Sequence, residues 1–115
     1  MDFTYKISEK PGYCSVQLKG NLIEKGQAVK LIDDIQHLIM RDENKFVLNL
    51  SGFRYMNSTG LTVLLNILTL ARKSGGEAVI CGISEKINSL LSITKLNSIF
   101  KVTNTEEEAV KSMDQ

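Results

Sequence analysis

The sequence contains no tryptophan, one histidine, one proline and two cysteines, and each shortage removes a class of function. Without tryptophan, and with its basic residues scattered instead of striped between aromatics, the chain lacks the electrostatic footprint of a DNA or RNA binder, so no nucleic-acid partner is expected. The lone histidine, His37, falls on the wet side of a helical pattern, where it reads as a surface residue and not as a catalytic base. Cys14 and Cys81 have no metal-ligand spacing and lie in strand-like runs, so both read as small buried apolar groups. Long apolar runs are missing too. The longest, Leu61 to Ala71, holds three polar residues and is far too short to span a bilayer. The first 25 residues carry charged and polar groups where a signal peptide has an apolar stretch. The expectation is a cytoplasmic chain with no direct membrane insertion. Neither sign of charge dominates, since 14 basic and 13 acidic residues leave a formal net charge of +1.

What is present is an ordinary globular composition, 43% hydrophobic and 23% charged over 115 residues, which suits one domain, residues 1–115, with a two-layer core. The proline sits in Pro11-Gly12, a turn pair between the runs Phe3 to Ile7 and Tyr13 to Lys19, which predicts an N-terminal hairpin. From Ala28 the apolar residues Ala28, Val29, Leu31, Ile32, Ile35, Leu38 and Ile39 recur at helical spacing, leaving Lys30, Asp33, Asp34, Gln36 and His37 to water. A buried strand near 46–50 follows, then a helix from near Ser58 that Gly75-Gly76 stops, then a strand from Glu77 to Cys81. Ser84 can cap a short helix carrying Ile87, Leu90 and Leu91, and Ile99 to Val102 reads as a last strand. Thr105 with Glu108 fits a capping box for a closing helix that packs Ala109, Val110 and Met113, and Glu106, Glu107 and Glu108 suit its positive end. The order predicts an α/β fold, a mixed and mostly parallel sheet of about five strands with about four helices and right-handed crossovers. Whether helices cover one face or both is left open by the pattern.

The most informative run is Phe46-Val-Leu-Asn-Leu-Ser-Gly-Phe-Arg-Tyr-Met-Asn-Ser-Thr-Gly-Leu61. A strand (Phe46, Val47, Leu48, Leu50) enters what reads as a short turn and delivers two adjacent hydroxyls, Ser58 and Thr59, to the start of a helix. The first N–H groups of a helix have no intrahelical partners and sit at the positive end of its dipole, so a phosphate is welcome there. The plain alternative is that Asn57, Ser58 or Thr59 merely caps the helix, all three being favoured N-cap residues. Gly60 permits close approach of backbone or partner. Thr62, Asn66, Thr69 and Lys73 follow Ser58 at steps of three and four, a narrow polar stripe on a helix otherwise read as buried. The run lacks the glycine that precedes the serine of a nucleophile elbow, and Gly75-Gly76 lacks the lysine and spacing of a P-loop.

Leu50-Ser-Gly-Phe-Arg-Tyr-Met-Asn-Ser-Thr-Gly-Leu61 resembles the signature of the anti-sigma factor antagonists, the single-domain branch of the STAS family. There a leucine-ended strand is followed by a few residues and then Asp-Ser-Ser/Thr-Gly-Leu. The similarity continues through Gly75-Gly-Glu-Ala-Val-Ile-Cys-Gly-Ile-Ser84, Leu90-Leu-Ser-Ile-Thr-Lys-Leu96 and the spacing of the N-terminal strands, and so covers nearly the whole chain. The resemblance implies a STAS-like mixed sheet with helices on one face, no enzymatic activity and no cofactor. It places the family's phosphorylated serine on Ser58, with Thr59 as the second candidate hydroxyl. It implies an anti-sigma factor that is also a serine kinase as the partner of the unphosphorylated chain, ATP-dependent phosphorylation of Ser58 to end the complex, and a serine phosphatase to reset it. Partner contacts are expected at Asn21, Asn57, Ser58, Thr59, Gly60, Thr62 and Asn66.

The chain departs from that pattern in two places. Asn57 stands where the family usually has aspartate, and Gly20-Asn-Leu-Ile23 lacks both acids of a Gly-Glu-Leu-Asp-like segment that lies near the phosphoserine side. Asn21 and Ile23 in those positions imply a different cognate partner, or else a turn residue and a packing residue respectively. The same departures motivate a second expectation, a non-phosphorylated STAS scaffold serving as an interaction module in a transporter or sensor complex.

Overall fold

An alternating pair of strands joined by a tight turn starts the fold. The computed structural model describes residues 2–113, and in it β1 (Phe3–Lys10) and β2 (Tyr13–Leu22) pair antiparallel with Ile7 opposite Val16. Gly12 supplies the φ of 85° that the second position of the Pro11-Gly12 turn requires. A 3-10 turn (Lys25–Ala28) leads into α1 (Val29–Met40). Then come β3 (Lys45–Met56), α2 (Ser58–Lys73), β4 (Glu77–Cys81) and α3 (Glu85–Ile93), followed by a 3-10 turn (Leu96–Ser98), β5 (Lys101–Thr103) and α4 (Glu106–Met113). The strands lie in the order β1-β2-β3-β4-β5, and β2 through β5 are parallel. Parallel neighbours need crossovers, and α1, α2 and α3 supply them.

These three helices share one face of the sheet, where Val16, Leu18, Phe46, Leu48 and Ile80 meet Leu31, Ile35, Leu64, Ile67 and Leu91 in one buried cluster. Full burial of a side chain of this size is worth roughly 1.5–3 kcal/mol, so this layer carries most of the stability. Helices cover both faces, however, not the single face implied by the family resemblance. Val47, Val79 and Cys81 alternate to the opposite side and are covered by Ala109 of α4, with Tyr13, Val110 and Met113 packed around them. Central strands that are apolar on both sides need this second cover.

Local signals fixed several element ends. The N–H groups of Gly75 and Gly76 donate to the carbonyls of Arg72 (3.1 Å) and Ala71 (2.8 Å), closing α2 with Gly75 in the left-handed region. The hydroxyl of Ser84 accepts from the Ile87 N–H at 3.3 Å, and that of Thr105 from the Glu108 N–H at 3.1 Å.

Other expectations need correction. β3 does not end near Leu50 in a turn but continues to Met56. Its pairing with β2 slips by one residue twice: Gln17 faces Asn49 but Lys19 faces Gly52, and Gly20 faces Phe53 but Asn21 faces Tyr55. Each slip is a bulge that leaves one extra residue on β3, the second being Arg54. The inward positions therefore step from Leu50 to Phe53 to Met56, and a strict alternation of two is lost. Val29 is 64% exposed, because it stands about 100° around the helix from Ala28, outside the stripe of Ala28, Leu31, Ile35 and Leu38. Ile99 precedes β5 and follows a 3-10 turn, so the last strand is shorter and later than its apolar run suggested. Glu106 does more than complement a helix dipole. Its carboxylate accepts from Ser15 Oγ at 2.8 Å and from Tyr13 OH at 3.0 Å, pinning the start of α4 to β2. No helix among the described residues is long and apolar enough to cross a membrane.

Ser15 is 3% exposed, so removing its acceptor leaves a buried hydroxyl without a partner. Glu106→Ala is expected to lower the unfolding free energy by about 1–3 kcal/mol in a denaturant titration. Hydrogen exchange will accelerate more in α4 than in α2 as the loss appears.

Candidate functional site

The second bulge sets the geometry of the candidate site. By returning Met56 to the core, where it is 2% exposed, it leaves one residue, Asn57, between β3 and α2. Asn57 is extended (φ −106°, ψ −166°), and its Oδ1 accepts from the N–H groups of Thr59 (3.0 Å) and Gly60 (3.2 Å). The first intrahelical bond, from the Leu61 N–H to the Asn57 carbonyl, is 3.1 Å long. Of the three residues able to cap this helix, Asn57 alone does so. Its Nδ2 donates to the carbonyl of Ile23 at 3.1 Å, tying the β2–α1 connection to the helix start.

This arrangement changes what the helix end offers. Two of the donors expected to greet a phosphate are already used by Asn57, and the Ser58 N–H remains as the first-turn donor with no acceptor among the described residues. Ser58 itself is exposed, and its hydroxyl makes no hydrogen bond among the described residues. Thr59 is half-buried. It does not cap the helix; its own N–H is what Asn57 caps. Gly60 is buried, and a Cβ there would lie 2.6 Å from Met56 Cβ and 2.8 Å from the carbonyl oxygen of Leu22. Close approach of α2 to β2 and β3 is thus what demands glycine.

Along the helix Thr62, Asn66, Thr69 and Lys73 are exposed in a row, with the Thr62 hydroxyl donating to the Ser58 carbonyl at 3.0 Å. Leu61, Val63, Leu64, Ile67, Leu68 and Ala71 are buried, so the apolar side of α2 is core and not a docking face. Asn21 is a half-buried strand residue paired with Tyr55, not a turn residue. Ile23 is 42% exposed, not a packing residue. Between them and α1, Gln27 braces the connection: its Oε1 accepts from the N–H groups of Ile23 and Glu24, both at 2.9 Å, and its Nε2 donates to the Asn21 carbonyl at 3.2 Å. Asn21, Asn57, Ser58, Thr59 and Gly60 thus gather where β2 and β3 end. Asn66 lies farther along α2 in a separate groove of about 650 Å³ beside Lys25, Val29 and Lys30.

Two residues that the sequence reading did not single out join Ser58. Arg54 and Lys86 line a groove of about 410 Å³ together with Tyr55, Asn57 and Ser58. Arg54 arrives there as the extra residue of the bulge, which no period-two pattern signals; Lys86 arrives through the crossover that places α3 beside the end of β3. Elsewhere the chemistry is quiet. Burial pushes the thiols of Cys14 and Cys81 up to about 11, with Glu43 beside the first and Glu106 beside the second adding to the rise, so neither is a nucleophile near neutral pH. His37 is exposed on α1, 3.8 Å from Asp33.

Comparison with known proteins places this geometry among relatives. The STAS domain model matches residues 5–109. The anti-sigma F factor antagonist of Paenibacillus polymyxa is 24% identical over 114 residues, which is 99% of this chain and 97% of that protein. A crystal structure of a Thermotoga maritima protein provisionally assigned as an anti-sigma factor antagonist superposes with a TM-score of 0.80 at 27% identity, covering 98% of this chain and 95% of that one. The Bacillus protein SpoIIAA shares the fold at 15% and 16% identity, with TM-scores of 0.74 in its unphosphorylated form and 0.73 in its phosphorylated form.

Two substitutions test the local geometry. Gly60→Ala gains up to about 1 kcal/mol of helix propensity, but overpacking against Met56 and the Leu22 backbone costs about 1–3 kcal/mol, so urea unfolding should show a net loss. Asn57→Asp keeps both acceptor bonds and gains about 0.3–1 kcal/mol from the helix dipole, while its carboxylate cannot donate to Ile23 and loses about as much. Global stability should therefore move by less than about 1 kcal/mol, while amide exchange in residues 23–27 accelerates.

Proposed function

The chain belongs to the STAS domain family, and from that premise we propose that it is an anti-sigma factor antagonist working by phosphorylation-controlled partner switching. The observation that carries this reading is the division of labour at the start of α2. Asn57 caps the helix, and the adjoining Ser58 hydroxyl is left exposed and uncommitted. A serine at the N-cap itself would use its oxygen as the cap; Ser58 stands one position on, at the first residue of the helix. Thr59, half-buried behind it, is the poorer acceptor for a kinase.

In this reading the unphosphorylated chain binds an anti-sigma factor that is itself a serine kinase, through Asn21, Asn57, Ser58, Thr59, Gly60, Thr62 and Asn66. Ser58 Oγ takes the γ-phosphoryl group of ATP in the kinase's site, ADP leaves, and the complex separates; a serine phosphatase returns the hydroxyl. The chain is substrate and ligand and needs no cofactor of its own. A phosphoserine carries about −1.5 to −2 charges. A hundredfold loss of affinity takes only about 2.8 kcal/mol, which one such group in a desolvated contact can supply. The fold tolerates the group because Ser58 faces solvent, so the effect falls on the partner.

Ser58→Ala is expected to bind the kinase as the native chain does and to take up no phosphate from ATP, while Ser58→Asp binds at least about tenfold more weakly. Isothermal titration with the purified kinase reads the affinities, and mass spectrometry of the chain from growing and stressed cells reads Ser58 occupancy. Equal affinities for the two variants, with Ser58 unmodified in every condition, would replace this reading with a constitutive scaffold of a transporter or sensor complex, the reading that Asn21, Ile23 and Asn57 motivate.

A further inference from the structure

We propose that Arg54 and Lys86 form an intramolecular receptor for a phosphate carried on Ser58; the proposal rests on Ser58 being the modified residue. The helix end is left with the Ser58 N–H alone to offer, because Asn57 occupies the Thr59 and Gly60 donors. Charge at Ser58 must be answered by side chains, and the groove it opens onto holds two cations and no acid. Neither Arg54 nor Lys86 forms a salt bridge among the described residues.

The position of each cation has a structural origin. Arg54 is the unpaired residue of the second β3 bulge, and a bulge re-aims the side chain it carries. Lys86 is the second residue of α3, behind the Ser84 cap. A lysine in the first turn stands at the positive end of its own helix dipole, a placement that an anion nearby relieves. Met56, Ile87 and Leu90 complete the walls, while Arg54, Lys86 and Ser58 themselves are exposed. Arg54 can present two parallel N–H donors to phosphate oxygens, and Lys86 a point charge.

The test uses the full chain with phosphoserine incorporated at position 58 during synthesis, so no kinase is needed. Phosphorus NMR then follows the second ionisation of the phosphate at low salt. That ionisation ordinarily lies near 6, and two cations in the groove are expected to lower it by about one unit or more. Arg54→Ala and Lys86→Ala should each restore part of the shift and the double variant all of it, whereas Lys101→Ala, exposed on β5, should leave it in place. An ordinary value in the unsubstituted phosphoprotein, or a lowered value indifferent to both substitutions, overturns the receptor. Both variants alter exposed side chains, and matching circular dichroism melts will show that the fold is kept. Absence of phosphate on Ser58 in cells would count against the proposed function and leave this result standing; an ordinary ionisation in a chain that is phosphorylated in cells would do the reverse.

Discussion

One planar side chain joins three parts of this fold. The amide of Asn57 accepts from two peptide N–H groups of α2 and donates to the carbonyl of Ile23, so the end of β3, the start of α2 and the β2–α1 connection share a single rigid group. An amide can do both at once, whereas a carboxylate accepts without donating. A one-residue junction from strand to helix also requires the two elements to touch, and that contact runs through Gly60, where any Cβ would overlap Met56 and the Leu22 carbonyl. Remove the second bulge alone and Met56 turns outward; the junction and the glycine contact then have nothing to rest on. Packing sets the place of the site, and the asparagine sets its fine geometry.

A consequence of this capping is electrostatic. A helix N-terminus is often credited with attracting anions through free N–H groups and its dipole. Here two of those groups are committed, and the dipole alone contributes about 0.3–1 kcal/mol at an exposed position. That is too little to decide where a dianion rests. Hydrogen bonds to charged groups contribute about 1.5–3 kcal/mol each, so side-chain cations outweigh the helix end, and the groove beside Ser58 offers Arg54 and Lys86.

How far the sequence foretold this depends on the range of the interaction. The Pro11-Gly12 turn, the Gly75 stop, the Ser84 and Thr105 caps and the apolar stripe of α2 are local, involve neighbours within about five residues, and were legible. β3 was half legible. Ser51-Gly52 and Arg54-Tyr55 look like a turn because they interrupt alternation, yet the interruptions are bulges whose register is set by β2, some thirty positions earlier in the chain. The bonds from Glu106 to Ser15 and Tyr13 span 91 and 93 positions, and no local pattern announces a helix that crosses to the second face. The candidate serine was found through its neighbours in the motif. Arg54 and Lys86 were missed because one is aimed by a bulge and the other by a crossover, and neither device has a sequence period.

The departures from the family pattern belong together once the contacts are traced. The resemblance puts an aspartate where Asn57 stands and acids where Asn21 and Ile23 stand, in a segment whose backbone Asn57 holds through the Ile23 carbonyl. All three changes remove negative charge from the same end of the sheet. Arg54 and Lys86 remain there without an ion-pair partner among the described residues, so the groove beside Ser58 carries two cations that such acids would offset. A phosphate would then act with the opposite emphasis: against acids it deepens an existing negative patch, and against bare cations it neutralises an existing positive one. On the proposed reading, the partner best matched to this chain in its unmodified form presents carboxylates, and a phosphate on Ser58 would weaken that complex first by occupying the cations that drew the partner in and only second by repulsion.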